Sequence, residues 1–331
     1  MALLFLYWGM MIIGYFIGTR FRNIKEKLSR VGTLLFVAII FLVFTMGVRM
    51  GSSEEVVSNL GSIGLDAFFM TVAIMAGSVI AVIITRKLLR IDRYGEILQT
   101  QTDPEVLDKS HDPGDENVDL KDSSSRTMTI AILSAVVLGL LCGHFFVEKI
   151  FSDYGYFETF SGNTLVIGLC FLLFFVGVDF GLSGTIVNSL KTAGFRVLIF
   201  PIVIVIGSLV AAFLCGLVLP LSIKETLAIG AGFGWYTMAP IVITEQGYAM
   251  AGAISFMHNV MRELGGIVLI PIVAKKIGYI EAISLPGVAS MDMCIPLVER
   301  VCGEKIVIYS FLAGMLQSAL VPVLVPLIIG F

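Results

Sequence analysis

Two acidic residues stand where an acid is expensive. Glu263 occurs in NVMRELGG, inside an apolar run at about 250–273, and Asp292 occurs in GVASMDMCIP, inside a second apolar stretch interrupted by Gly and Pro. An ionised side chain at membrane depth costs ~2.5–3.5 kcal/mol even on the lenient insertion scale, so each such residue is a candidate for an ion or substrate path. Arg262 adjoins Glu263, but successive helical residues do not face each other and pair poorly. Local charge compensation is the plainer reading of Arg262 and Glu263, and a functional role is favoured over it. Asn259 lies in the same run, and His258 stands four residues before Arg262, on one helix face. Ser290 precedes Asp292 by two positions. A carboxylate in apolar surroundings can hold a proton or an ammonium group in turn, which is the exchange an ion-coupled transporter requires.

Other groups admit two readings. Trp235 and Tyr236, in AGAGFGWYTMAP, could stack on a substrate's alkyl chain or cation, or simply pack. Gly230, Gly232 and Gly234 around them allow close backbone approach, and the missing Lys-Ser/Thr excludes a phosphate loop. Asp179, near the end of a span, reads equally as a solvated helix-end acid and as a cavity-lining group. His144 reads as structural, and Arg49 is expected to snorkel to the interface. Cys142, Cys170, Cys215, Cys294 and Cys302 form no CxxC pair and read as small buried hydrophobes. A metal site from His111, Asp112, Asp115 and Glu116 is weaker than the solvated linker that their surroundings suggest.

The elements that position these groups are membrane spans. Of 331 residues, 57% are hydrophobic and 14% charged, with a mean hydropathy of +0.96. A soluble domain carries about 25% charge. The apolar runs predict an all-α polytopic membrane protein with spans near 2–19, 31–49, 65–85, 128–147, 163–181, 197–219, 250–273 and 306–330. That makes about eight transmembrane helices, each near the ~20 residues a bilayer core demands. The first run lacks a basic n-region and a cleavage site, and reads as a span, not a signal peptide. Two further segments, 226–245 and 282–298, are rich in Gly, Pro and small residues; re-entry from opposite sides is favoured for them over two ordinary extra spans.

Basic residues fall in alternate loops: Arg20, Arg22, Lys25, Lys27 and Arg30; then Arg86, Lys87, Arg90 and Arg93; then Lys191 and Arg196; then Lys275 and Lys276. The positive-inside rule places these in the cytoplasm and both termini outside. The chain divides into a first three-span repeat (1–85), a polar cytoplasmic linker (86–127), a second, inverted three-span repeat (128–224) and a site-forming region (225–331).

The division rests on internal duplication. FLVFTMGVRMG at 41–51 reappears as FLLFFVGVDFG at 171–181, with six of eleven positions identical at an offset of 130. The same offset pairs Gly77 with Gly207, Ser78 with Ser208 and Ala81 with Ala211, and, extended without a gap, Gly9 with Gly139 and Phe16 with Phe146. Three spans separate the copies, so they have opposite orientations, as in many secondary transporters. A weaker duplication at an offset of 56 pairs Glu225 with Glu281, Pro240 with Pro296, Val242 with Val298 and Gly247 with Gly303. It makes each interrupted segment, with the span after it, a copy of the other.

The blocks GAGFGWYTMAPIVITEQG, FMHNVMRELGGIVLIPIVAKKIG and ISLPGVASMDMCIPLVERVCG, and a last span ending LVPVLVPLI, together resemble the LysO-type lysine exporter family over roughly residues 225–331. The resemblance implies export of L-lysine and close cationic analogues across the bacterial cytoplasmic (inner) membrane, with intramembrane carboxylates that map onto Glu263 and Asp292. With no nucleotide-binding motif, coupling to an ion gradient is expected, most simply proton antiport. The implied partners are lysine, a coupling proton and the lipid bilayer, with no cofactor, no metal and no nucleic acid; a homo-oligomer stays open. The alternatives are an ion-coupled transporter of another small solute and, further off, a channel or membrane enzyme. Two buried acids argue against an anionic solute, and no Ser-His-Asp set or HExxH supports an enzyme.

Overall fold

The computed structural model describes residues 2–21, 30–91, 123–151, 154–183, 198–291 and 293–330. The elements, in order, are α1 (Ala2–Arg20), α2 (Arg30–Gly51), α3 (Glu54–Ser58), α4 (Leu60–Leu88), α5 (Ser123–Ile150), α6 (Tyr154–Ser183), α7 (Ile199–Cys215), α8 (Ile223–Gly230), α9 (Ala239–Glu245), α10 (Ala249–Lys276), α11 (Tyr279–Ile283), a 3₁₀ turn (Gly287–Met291), α12 (Ile295–Cys302) and α13 (Glu304–Gly330). Each of the eight expected spans coincides with one long helix, and no strand occurs among the described residues. Four helices are long and apolar enough by themselves to cross a bilayer: Leu60–Leu88, Tyr154–Val178, Ala249–Lys276 and Lys305–Gly330. The chain is a multi-pass, all-helical membrane protein. Most of the polar linker, with His111 and its acidic neighbours, lies outside the described residues.

Helix packing follows the duplication. The first helix of each copy packs on the second helix of the other (α1 on α6, α2 on α5), and the third helices, α4 and α7, pack on each other. Between helices in lipid there is little hydrophobic driving force, so small residues that admit a neighbouring backbone decide the interfaces. A Cβ added at Gly14 or Gly18 of α1 would collide with the carbonyls of Phe174 or Val178, and one at Gly177 or Gly181 with those of Met11 or Tyr15. On the other pair, Gly47 and Gly51 of α2 abut the carbonyls of Val136 and Leu140, while Gly139 and Gly143 of α5 abut those of Phe44 and Val48. At the α4–α7 crossing, Gly77 faces Ala211 and Gly207 faces Ala81, each at 2.6 Å for an added Cβ, and the Ser78 and Ser208 hydroxyls touch at 2.8 Å.

The offset of 130 therefore fits the second and third helices of the copies, but not the first. In the packing, Gly14 corresponds to Gly139 and Gly18 to Gly143, an offset of 139 − 14 = 125. Gly9, the gapless partner of Gly139, meets nothing within 4 Å. The gapless register breaks because 47 − 14 = 33 positions separate Gly14 from Gly47 while 177 − 139 = 38 separate Gly139 from Gly177, so the first copy is five residues shorter between its first and second helices, and apolar helices offer too few distinctive residues to reveal the shift. A direct test follows. Gly14→Ala should destabilise the detergent-solubilised protein by roughly 1–3 kcal/mol, the usual cost of overpacking, while Gly9→Ala leaves its melting temperature unchanged; equal effects would contradict the 125 register.

The last third has the form expected from the offset of 56: a short helix, a break, a short helix, then a long helix, twice. Ser222 opens α8 with a capping box, its hydroxyl accepting from the Glu225 N–H at 3.3 Å while Glu225 accepts from the Ser222 N–H at 2.8 Å. Pro240 and Pro296 stand in the first turns of α9 and α12, where a missing N–H costs nothing. Gly247 and Gly303 follow those helices with φ of 91° and 87°, a backbone region open mainly to Gly. The two ends of the α8–break–α9 segment adjoin, since Lys224 Nζ at its start donates to the Tyr248 hydroxyl beyond its end at 3.2 Å.

Candidate functional site

The two breaks, 231–238 and 284–294, meet. The Val288 N–H donates to the Phe233 carbonyl at 2.8 Å. Phe233 has φ of +45°, unusual for a residue with a Cβ, and Gly234 and Gly287 have φ of 92° and 72°. Gly287 is required twice over: its φ disfavours any side chain, and a Cβ there would overlap the Phe233 carbonyl. Buried backbone that is not helical needs partners for its polar groups, and here one helix supplies several of them.

That helix is α10. Ser255, Asn259, Arg262 and Gly266 recur at helical spacing and are all buried along it. Asn259 braces the first break: its Oδ1 accepts from the Gly234 N–H at 2.7 Å, while its Nδ2 donates to the Ser255 carbonyl and hydroxyl at 2.8 and 3.1 Å. Arg262 braces the second: its Nε donates to the Leu285 carbonyl at 3.2 Å. Gly266 lets Pro286 approach, since an added Cβ would stand 2.6 Å from the Pro286 Cα. The far side of the Arg262 guanidinium reaches the serine pair of the α4–α7 crossing, with Nη2 at 3.1 Å from Ser208 Oγ and 3.4 Å from Ser78 Oγ. Ser78 also donates to the Ile74 carbonyl at 2.9 Å, so a donor chain runs from Arg262 through Ser208 and Ser78 to Ile74.

Glu263 follows Arg262 and is therefore turned about 100° away from the bracing face. It is 7% exposed. His258 is fully buried one turn below Arg262, with Nδ1 at 3.0 Å from the Thr71 hydroxyl of α4. Trp235 is half-buried and donates from Nε1 to Thr237 Oγ1 at 2.8 Å; Tyr236 is buried edge-on against Phe256. The Ser290 hydroxyl donates to the Ser310 carbonyl at 3.0 Å, and Ser310 returns the bond at 2.6 Å, fastening the 3₁₀ turn to α13. Asp292 lies outside the described residues, and of Asp179 only its place in α6 is described. The structure thus places Trp235, Tyr236 and Ser290 in the two breaks, Asn259 and Arg262 against them, and Glu263 and His258 elsewhere on the same helix, with the hydrogen bonds of Arg262, Asn259 and Ser290 holding the backbone in shape.

Two ion pairs escaped the sequence reading. Arg49, expected to snorkel, is instead mostly buried and paired with Glu245 at the end of α9, with Glu158 at 3.6 Å on its other side. Arg86, at the end of α4, pairs with the fully buried Glu281 of α11 at 2.6 Å. Each acid sits at the boundary of an apolar run, where it reads as a loop residue; only the long-range fold supplies its arginine. Among the described residues no group of His, Cys, Asp and Glu is arranged to hold a metal, and the five cysteines are free, with Cys215, Cys294 and Cys302 buried.

Comparisons with known proteins agree with this layout. The family model described as lysine exporter LysO matches residues 8–98 and 133–329, which leaves out the stretch 99–132 and takes in most of every helix. The lysine exporter LysO of Escherichia coli is 32% identical over 157 residues, which is 47% of this chain and 52% of that protein; the match thus spans about half of that relative's length. A Haemophilus influenzae protein provisionally described as a lysine exporter is 29% identical over 196 residues, 58% of this chain and 94% of that protein. No solved structure matches. With the family model spanning all but the first residues, the stretch 99–132 and the last two, the chain belongs to the LysO lysine exporter family.

Proposed function

We propose that this protein exports L-lysine across the bacterial inner membrane, by exchange for protons, with Glu263 and Asp292 as the acids that take the lysine ammonium and the coupling proton in turn. The observation that carries the reading is the junction of two broken segments at Phe233 and Val288, held by the same helix that bears Glu263. Secondary transporters place their substrate at such breaks, where free helix ends and unwound carbonyls meet the ligand. The names of both relatives support lysine as the cargo. A compact, strongly hydrated ammonium needs an anion to replace part of its shell on leaving water. The lysine carboxylate needs donors, which helix N-termini at the breaks can supply.

The topology belongs to the same proposal. The reciprocal packing of α1 with α6 and α2 with α5 supports two copies of opposite orientation with both termini outside. The Lys224–Tyr248 contact brings the two ends of the first broken segment to one side, which supports a re-entrant hairpin over a spanning one. Close cationic analogues such as ornithine would compete for the same acids.

Uptake of radiolabelled lysine into inverted vesicles tests this. Accumulation should require an outwardly directed proton gradient, meaning an acidic lumen, and should collapse with a protonophore. Accumulation indifferent to the gradient would remove proton exchange from the proposal, and absence of lysine movement would remove the substrate.

A further inference from the structure

The helices fall into two groups that share an apolar core but make few helix-to-helix contacts with each other. Helices α1, α2, α5 and α6 pack on one another through the glycine seams described above, while α4, α7 and the whole region from α8 to α13 pack among themselves. Between the groups the main helix-to-helix contact is α1 with α13, and the short α3 is one of the covalent connections. Among the described residues, a charged contact centred on Arg49 crosses the divide. Arg49 of α2 belongs to the first group, Glu245 of α9 to the second, and Glu158 of α6 to the first again. The side chains of Arg49 and Glu245 are only 12% and 13% exposed, whereas that of Glu158 is 58% exposed. Helix α9 also sits tight against α6 here, with Glu245 Oε2 only 2.9 Å from a Cβ placed on Gly162. The second ion pair, Arg86–Glu281, joins α4 to α11 and so lies wholly within the second group.

We infer that Arg49 is a latch between a stationary four-helix frame and a moving body that carries the broken segments, and that transport swings its guanidinium from Glu245 of the body to Glu158 of the frame. The inference rests on the transporter reading and adds to it the residues that govern its conformational step. Removing the partner of a mostly buried charge is strongly unfavourable, so a body held to the frame by Arg49–Glu245 alone would be locked. A second acid within reach changes that. As the body moves off with Glu245, the guanidinium turns to Glu158, which stays on the frame beside it, and no intermediate leaves the arginine unpaired. The planar fork of Arg, with separate nitrogens for each acid, suits such an exchange in a way a Lys ammonium does not. The solvent exposure of Glu158 makes it the weaker partner at rest, which keeps the latch on Glu245 until the body is driven away.

The two acids then have opposite roles, and that is what the experiment reads. In a background with the native cysteines replaced, a cysteine at Thr237, 3% exposed at rest, is titrated with a water-soluble thiol reagent presented on both faces of the membrane, and lysine efflux is measured in parallel at matched abundance. Glu245→Gln should raise the labelling rate about tenfold, the effect of releasing a partly buried ion pair. Glu158→Gln should leave labelling at or below the parent rate yet slow efflux several-fold, because the arginine has lost its second partner. Glu158 is exposed, so its replacement does not threaten folding. Labelling that is unchanged by Glu245→Gln, or raised alike by both substitutions, would overturn the latch. Because labelling needs no substrate, a protein that moves no lysine but labels in this pattern would refute the lysine reading and keep the latch.

Discussion

Glu263→Gln should reduce lysine efflux to background, a loss of at least about a hundredfold, with membrane abundance and elution profile unchanged. The substitution keeps the volume and one hydrogen-bonding oxygen of the side chain, and removes only the charge that a proton or a lysine ammonium would neutralise. A buried charge pair broken by deleting one member loses about 3–5 kcal/mol, and every 1.4 kcal/mol is tenfold, so a residue holding the cargo's ammonium must show an effect of this size. Asp292→Asn should match it, and the double variant should be no worse than either single one, since groups that act as one unit are not additive. Asp179→Asn should be milder, as the end of a helix can borrow solvent. Efflux measured over a pH series at matched abundance decides the matter: near-normal export from both Glu263→Gln and Asp292→Asn would sink the mechanism.

Arg262→Lys should cost stability more than any other charge-conserving change in the protein. The guanidinium holds the Leu285 carbonyl through Nε while reaching the Ser208 and Ser78 hydroxyls through Nη2, and an ammonium, a point donor, cannot serve both sides. Hydrogen bonds to charged groups are worth about 1.5–3 kcal/mol each, so a destabilisation of about 3 kcal/mol is expected. It would appear as a lower melting temperature in detergent together with lost export. Ser208→Ala should cost only about 1 kcal/mol, because Ser78 remains within reach of the same nitrogen. A lysine variant that melts like the parent but fails to export would move Arg262 from the scaffold to the substrate.

Glycine contacts show why the two levels of information differ. Span positions, the 130 offset at FLVFTMGVRMG and FLLFFVGVDFG, and the 56 offset linking Pro240 to Pro296 and Gly247 to Gly303 are local in the chain and can be read from it without a fold. Hydrophobic run length measures the bilayer directly, and Pro and Gly act on their own backbone. That Glu263 sits buried in a span was legible for the same reason.

Partners were not legible, because partnership is decided by the packing of helices far apart in sequence. Only the tertiary structure turned Asn259 and Arg262 into braces for two separate breaks, brought Ser78 and Ser208 together as acceptors for one guanidinium, and set α1 against α6 in a register five residues from the one the alignment favoured. Arg49 illustrates the limit most sharply. From sequence alone a span-end arginine has solvent as its nearest partner, so snorkelling is the economical reading. In the folded chain Glu245, 196 positions away, arrives at its side, and an ion pair shielded from water outcompetes hydration that the packing has already removed.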